Sequence, residues 1–145
     1  MIRSMIVEDH ALFRQTFSDT FRLMFPSVEI IEARDAEEAL KTVNHYSPEI
    51  IFMDIGLPGE NGLKATAKIK TSHQDLAVVI LTAYDLPEYR EAAVRFGADS
   101  FISKDSMNWE EISTLVKCYQ KAKEENRTKP GCLRLKSEGR RDPMG

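Results

Sequence analysis

Five short apolar runs, each separated from the next by a stretch of helical period, constrain this chain more than any other feature. The runs cover residues 2–7, 28–31, 49–53, 76–81 and 100–102. Ile50-Ile51-Phe52-Met53 and Val78-Val79-Ile80-Leu81 are apolar on both faces, as central parallel strands covered by helices on each side must be. Val28-Glu29-Ile30 alternates and reads as a strand nearer an edge. Strand and helix alternating five times predict an α/β fold, a doubly wound five-stranded parallel sheet with helices on both faces.

The intervening stretches have distinct faces. Phe13, Phe17, Phe21 and Met24 recur every three or four residues, which predicts a buried, aromatic-rich stripe on the first helix. Asp35 is positioned to cap a second helix that turns Ala36, Ala39, Leu40 and Val43 inward, with Glu37 and Glu38 favourable in its first turn. The third helix, from near Leu63, has the weakest pattern. Asp85 and Pro87 open a fourth, with Tyr89, Ala92, Ala93 and Phe96 on one face and Gly97 where a terminating glycine belongs. The fifth starts near Asn108 and carries Trp109, Ile112, Leu115, Val116 and Tyr119. Periodicity fades past Glu125, so the chain reads as one domain over residues 1–122 and a basic, poorly ordered tail or linker over 123–145.

Composition narrows the function. The chain has 145 residues, 30% of them charged, and a net charge of −3. From Lys121 onward eight Lys/Arg face four acids, so the last 25 residues carry +4 and the first 120 carry −7. An acidic body opposes phosphate-backbone binding and favours holding a cation. No apolar run approaches the roughly 18–20 residues of a membrane span, and no secretory leader is read at the start. Cys118 and Cys132 lack metal-ligand spacing and do not make a disulfide framework, so a cytoplasmic protein is expected.

The chemistry lies at the strand ends. Glu8-Asp9 follow the first strand, Asp54 the third, Thr82 closes the fourth, and Lys104 stands just past the fifth. In a parallel sheet all of them reach one edge. Three carboxylates crowded there repel and raise at least one pKa unless a cation neutralises them. Hard oxygen ligands suit Mg²⁺, and a lysine opposite balances an incoming phosphate. The reaction this set suits is phosphoryl transfer: in-line attack by a carboxylate, with charge and hydroxyl donors on the other oxygens. Taken singly, each residue has an ordinary explanation as a helix cap, a solvated lysine or a β-forming threonine. Their fall on four successive eligible strand ends carries the reading. His10, one place further on, belongs to the start of the first helix and is given no catalytic role.

Across residues 1–122 the pattern resembles the response-regulator receiver family. The matching motifs are Val7-Glu8-Asp9-His10, the run from Met53-Asp54-Ile55-Gly56-Leu57-Pro58 to Asn61-Gly62, Leu81-Thr82-Ala83, Phe96-Gly97-Ala98 and Phe101-Ile102-Ser103-Lys104. The resemblance implies the strand order 2-1-3-4-5 of the flavodoxin/CheY-like sheet, and a two-component signalling switch phosphorylated on Asp54 by a sensor histidine kinase or phosphotransfer protein. It implies Mg²⁺ held by Glu8, Asp9, Asp54 and the backbone carbonyl of Gly56, with Thr82 and Lys104 on the phosphoryl oxygens. Thr82 and Phe101 become the switch pair, and Gly56 and Tyr84 flank the path of hydrolytic water. Such a domain is not an enzyme on other substrates; it catalyses only its own phosphorylation and dephosphorylation. The family often signals through the fourth helix, fifth strand and fifth helix. Here that face offers Tyr89, Arg90, Arg95, Asp99, Asp105 and Glu110 for weak homodimerisation or partner docking.

Asp105 stands where many receivers have proline, so a trans Lys104–Asp105 bond is expected. Together with Glu-Asp-His and Leu-Pro-Gly-x-Asn-Gly, it resembles the NarL/FixJ-type branch, whose members usually carry a DNA-binding helix-turn-helix domain. Two readings stay open: a stand-alone receiver acting by protein contact, or the front piece of a DNA-binding regulator. A haloacid-dehalogenase-type phosphatase is disfavoured because Gly56 stands where its general acid belongs. A flavodoxin-like carrier is disfavoured because Glu8-Asp9 repel a flavin phosphate.

Overall fold

The buried apolar runs pair as five parallel strands in the computed structural model, which describes residues 2–125. In chain order the elements are β1 Ile2–Val7, α1 Ala11–Met24, β2 Val28–Ala33, α2 Ala36–Tyr46, β3 Ile50–Met53, α3 Gly62–Ser72, β4 Ala77–Thr82, α4 Pro87–Arg95, β5 Ser100–Ser103 and α5 Trp109–Glu124. The sheet order is β2-β1-β3-β4-β5, as expected. Val7 lies opposite Met53, Met53 opposite Ile80, and Thr82 opposite Ser103. This register brings the carboxyl ends of β1, β3, β4 and β5 to one edge, beside the reversal of strand order between β1 and β3, where such sheets bind ligands.

Strand alternation divides the core in two. Met5, Val7, Ile51, Met53, Val78 and Ile80 face Ala39, Val43, Leu63, Ile69 and Ala93 of α2, α3 and α4. Ile6, Phe52, Val79 and Leu81 face Phe17, Phe21, Ile112 and Val116 of α1 and α5. Burial on both faces is why β3 and β4 contain no polar residue before Thr82. The α1 stripe is aromatic as expected, with Phe17 at 5.1 Å from Phe52 and 5.0 Å from Trp109 between ring centres.

Four expectations need correction. Met24 is exposed, and Phe25 fills the end of the stripe instead. The helix ends at Met24, and the change of backbone direction at Phe25 turns the next side chain inward. Asp85 does not cap α4: Leu86 is the N-cap, with no side-chain hydrogen bond, while Asp85 accepts from Arg90 Nε at 2.8 Å. Asp99 is buried, with its carboxylate 2.6 Å from Lys70 Nζ, so it is not available to a docking face. β2 runs on to Ala33 because the backbone of Glu32 and Ala33 stays in register with β1.

Asp35 caps α2 as read, Asn108 proves to be the cap of α5, and Gly97 adopts a left-handed φ of 95° after α4. Asp105 forms part of a 3₁₀ turn, Lys104–Ser106, and no cis bond occurs among the described residues. Among them, too, no helix is long and apolar enough to cross a membrane. The expected tail falls outside the described residues from position 126 onward.

Candidate functional site

Glu8 follows β1 directly and its side chain is only 3% exposed. Its Oε2 accepts from the backbone N–H of His10 at 3.1 Å and its Oε1 from Lys104 Nζ at 2.6 Å. His10 caps α1 through Nδ1, which accepts from Phe13 N at 3.3 Å. Arg14, one turn on, donates to the Glu8 carbonyl at 2.8 Å and to Glu32 Oε1 at 3.0 Å. The loop carrying the acid pair is therefore held from both sides. Arg14 was not singled out in the sequence; its signal was an arginine one turn beyond a capping residue that follows an acid pair.

Asp54, just past β3, is buried, and its backbone N–H donates to the Val7 carbonyl at 3.1 Å. Its Oδ2 stands 3.6 Å from Lys104 Nζ. Its Oδ1 is buried with no hydrogen-bond partner, an arrangement that costs free energy unless another group satisfies it. Asp9 is exposed at the mouth, and one carboxylate oxygen from each of Glu8, Asp9 and Asp54 lies within 4.8 Å of the others. Desolvation foremost, and the nearby Asp54 charge, push the Glu8 carboxyl above its ordinary range, against the lowering effect of its hydrogen bond from Lys104. An oxygen-only set of three carboxylates with an orphaned buried oxygen fits a hard divalent cation.

The loop from Asp54 to α3 is shaped by a close approach. A Cβ on Gly62 would lie 1.9 Å from the Asp54 carbonyl oxygen, so only glycine fits there. Gly62 N donates to the Ile55 carbonyl at 2.9 Å, and Asn61 Oδ1 caps α3 by accepting from Leu63 N and Lys64 N at 2.8 and 2.9 Å. The sequence contained this glycine within a matched motif but not its purpose.

Thr82 is fully buried at the end of β4, and its Oγ1 accepts from Tyr84 N at 3.3 Å, which leaves the hydroxyl proton available to donate. The exposed Tyr84 ring covers Gly56, where an added Cβ would fall 2.9 Å from its Cε2. Phe101 is buried on the α4 side of the sheet, with the Arg90 guanidinium over its ring at 4.5 Å. Glu8, Asp9, Asp54, Thr82 and Lys104 thus share the carboxyl edge of the sheet, Gly56 and Tyr84 adjoin each other in the loops above it, and Phe101 lies within β5.

Comparison with known proteins agrees with this geometry. The response regulator receiver domain profile matches residues 5–117. The oxygen regulatory protein NreC of Staphylococcus carnosus is 34% identical over 120 residues, which span 82% of this chain and 55% of that one. NreC of Staphylococcus aureus is 35% identical over 106 residues, or 72% of this chain and 49% of the relative. The chain thus spans about half the length of these curated relatives. Among solved structures, response regulator TrrA of Thermotoga maritima in complex with Mg²⁺-BeF matches with a TM-score of 0.70 and 31% identity, covering 81% of this chain and 97% of that one. A LuxR-family DNA-binding response regulator from Staphylococcus aureus matches with a TM-score of 0.73 and 29% identity, covering 81% and 98%. Sheet order, site composition and these matches place the chain in the response-regulator receiver family: it is a receiver domain of two-component signalling.

Proposed function

We propose that this receiver, over residues 1–122, accepts a phosphoryl group on Asp54 from a sensor histidine kinase or phosphotransfer protein. The observation that carries the proposal is the buried Asp54 carboxylate, with one oxygen unpartnered and the other 3.6 Å from the Lys104 ammonium. Glu8, Asp9, Asp54 and the Gly56 carbonyl would hold Mg²⁺. The chemistry a bound Mg²⁺ supplies is neutralisation of the crowded carboxylates and of charge on the phosphoryl oxygens.

An Asp54 carboxylate oxygen attacks phosphorus in line, and the leaving group departs from the opposite side with the bonding pair. The Lys104 ammonium balances charge on one equatorial oxygen and the Thr82 hydroxyl donates to another. Drawing Thr82 toward the phosphoryl group pulls on the Tyr84 backbone, and the loop before α4 moves with it. Phe101 has no hydroxyl to present to solvent, so its part in the switch is to repack beneath Arg90. Tyr84 over Gly56 shields phosphorus from water and lengthens the phosphorylated lifetime.

The output surface is α4, β5 and α5, where Arg90, Arg95, Asp105 and Glu110 offer charges of both signs beside the Tyr89 ring. Exposed pairs contribute about 0–1 kcal/mol each, so phosphorylation shifts a marginal equilibrium of homodimerisation or partner docking. As a receiver of the NarL/FixJ type working in the cytoplasm, it would reach nucleic acid only through an appended DNA-binding domain. It turns over no other substrate. Incubation with acetyl phosphate and Mg²⁺ tests the proposal: intact mass should rise by one phosphoryl group, and chelation of the metal beforehand should prevent the rise. An unchanged mass with Mg²⁺ present overturns it.

A further inference from the structure

Not every group against the Lys104 ammonium is an oxygen. Glu8 Oε1 lies at 2.6 Å and Asp54 Oδ2 at 3.6 Å, while the Phe13 ring centre lies 4.5 Å from Nζ. The lysine side chain is 17% exposed, so the ring meets a largely desolvated cation, where cation–π attraction is strongest. Phe13 is itself fixed: its N–H caps into His10, and its ring packs 6.2 Å from Phe17, which in turn contacts Phe52 and Trp109.

We propose that Phe13 is a positioning residue that holds the Lys104 ammonium toward the phosphoryl site through its ring face. The inference rests on the phosphoryl-transfer reading above. Glu8 is an unsuitable permanent holder for the lysine. It is also a candidate metal ligand, and a carboxylate left against the ammonium would cancel the charge the phosphoryl group needs. An aromatic face attracts the cation, carries no net charge and offers no lone pair that competes with phosphoryl oxygen. It therefore keeps the lysine in place when Glu8 turns to a metal. During transfer from acetyl phosphate, an Asp54 oxygen–phosphorus bond forms as the bond from phosphorus to the acetate oxygen breaks. Acetate leaves with the pair, and the preset ammonium meets the charge without reorganising.

The test compares the native protein with Phe13→Leu, Phe13→Tyr and a series carrying ring-fluorinated phenylalanines at position 13 only, which drain the ring face of charge while nearly keeping its shape. Rates are read by intact mass with Mg²⁺ saturating and acetyl phosphate varied; melting temperature and Mg²⁺ affinity are measured alongside. The maximal rate should fall roughly three- to ten-fold in Phe13→Leu, decline stepwise with fluorination and be retained in Phe13→Tyr. Mg²⁺ affinity should stay constant throughout, and melting temperature constant across the fluorinated set. A native rate in Phe13→Leu overturns the inference, as does a flat fluorinated series beside a slow or unfolded leucine variant, which would leave Phe13 a packing residue only. Asp54→Asn is run in parallel. If the native protein gains no phosphoryl group, or Asp54→Asn still gains one, the phosphoryl reading itself falls and the Phe13 inference with it.

Discussion

Replacing Gly62 by alanine should destabilise this protein, although helix propensity alone says the reverse. Gly62 opens α3, where alanine is intrinsically preferred over glycine by up to about 1 kcal/mol. The added Cβ, however, would sit 1.9 Å from the Asp54 carbonyl oxygen and 2.8 Å from its carbonyl carbon. The gap must open by roughly 1.5 Å to reach ordinary contact. Both partners are backbone, so no side chain can rotate away. Either α3 retreats, stretching the 2.9 Å bond from Gly62 N to the Ile55 carbonyl and the Asn61 cap, or Asp54 is pushed off its position. Overpacking costs about 1–3 kcal/mol, and a weakened cap and hydrogen bond about 1 kcal/mol each. After the propensity gain, a net loss of about 2–4 kcal/mol follows, which lowers the melting temperature by roughly 10 °C. Displacing Asp54 by even about 1 Å should also slow its phosphorylation on the order of a hundred-fold. Calorimetry and the acetyl phosphate reaction measure the two effects. A Gly62→Ala protein as stable as the native one and phosphorylated at the native rate would refute the close-approach argument.

Three further predictions probe separate parts of the molecule. Tyr84→Ala should shorten the phosphorylated lifetime several-fold, about 1 kcal/mol in the barrier, read as loss of modified mass after removing the donor; equal or slower decay would show that the ring does not shield the site. Asp99 accepts from Val78 N at 2.9 Å and lies 2.6 Å from Lys70 Nζ, which also donates to the Leu76 carbonyl at 2.7 Å, so Asp99→Asn, which removes the charge opposite that largely buried ammonium, should cost about 2–3 kcal/mol. Lys70→Met in the Asp99→Asn background should cost less than Lys70→Met alone, since the pair is then gone; purely additive losses in denaturant unfolding would argue against coupling. Burial pushes the Tyr46 and Tyr119 phenols up to about 12 from 10.0. Because the unfolded phenols ionise first, their contribution to stability is whole below pH 10 and is lost as pH rises toward 12. Ultraviolet titration should show two of the four tyrosines ionising late in the native protein only, and two ordinary curves in their place would contradict the assignment.

What the sequence disclosed and what it withheld divide along a physical line. β3 and β4 were legible because burial on both faces leaves a run with no polar residue, and Glu8, Asp9, Asp54, Thr82 and Lys104 were legible because each sits at or just past a strand end. Parallel pairing then leaves those ends one edge to share. Features that depend on approach between distant segments left no local trace. The contact of Gly62 with the Asp54 carbonyl and the Phe13 ring over Lys104 are examples. Helix ends misled for a related reason. Met24 fits the α1 period, yet the chain turns at Phe25 and buries that ring instead. Asp85 has the composition of a cap, but its carboxylate is taken by Arg90 and the helix starts on Pro87, which has no N–H to satisfy.

The most direct test of the account is the identity of the modified residue. The native protein and Asp54→Asn are each incubated with acetyl phosphate and Mg²⁺, their intact masses recorded, and the products then treated with hydroxylamine, which cleaves acyl phosphates and spares phosphate esters. The account predicts one added phosphoryl group in the native protein, its complete removal by hydroxylamine, and no gain in Asp54→Asn. A gain that survives hydroxylamine, or one that persists undiminished in Asp54→Asn, would contradict it.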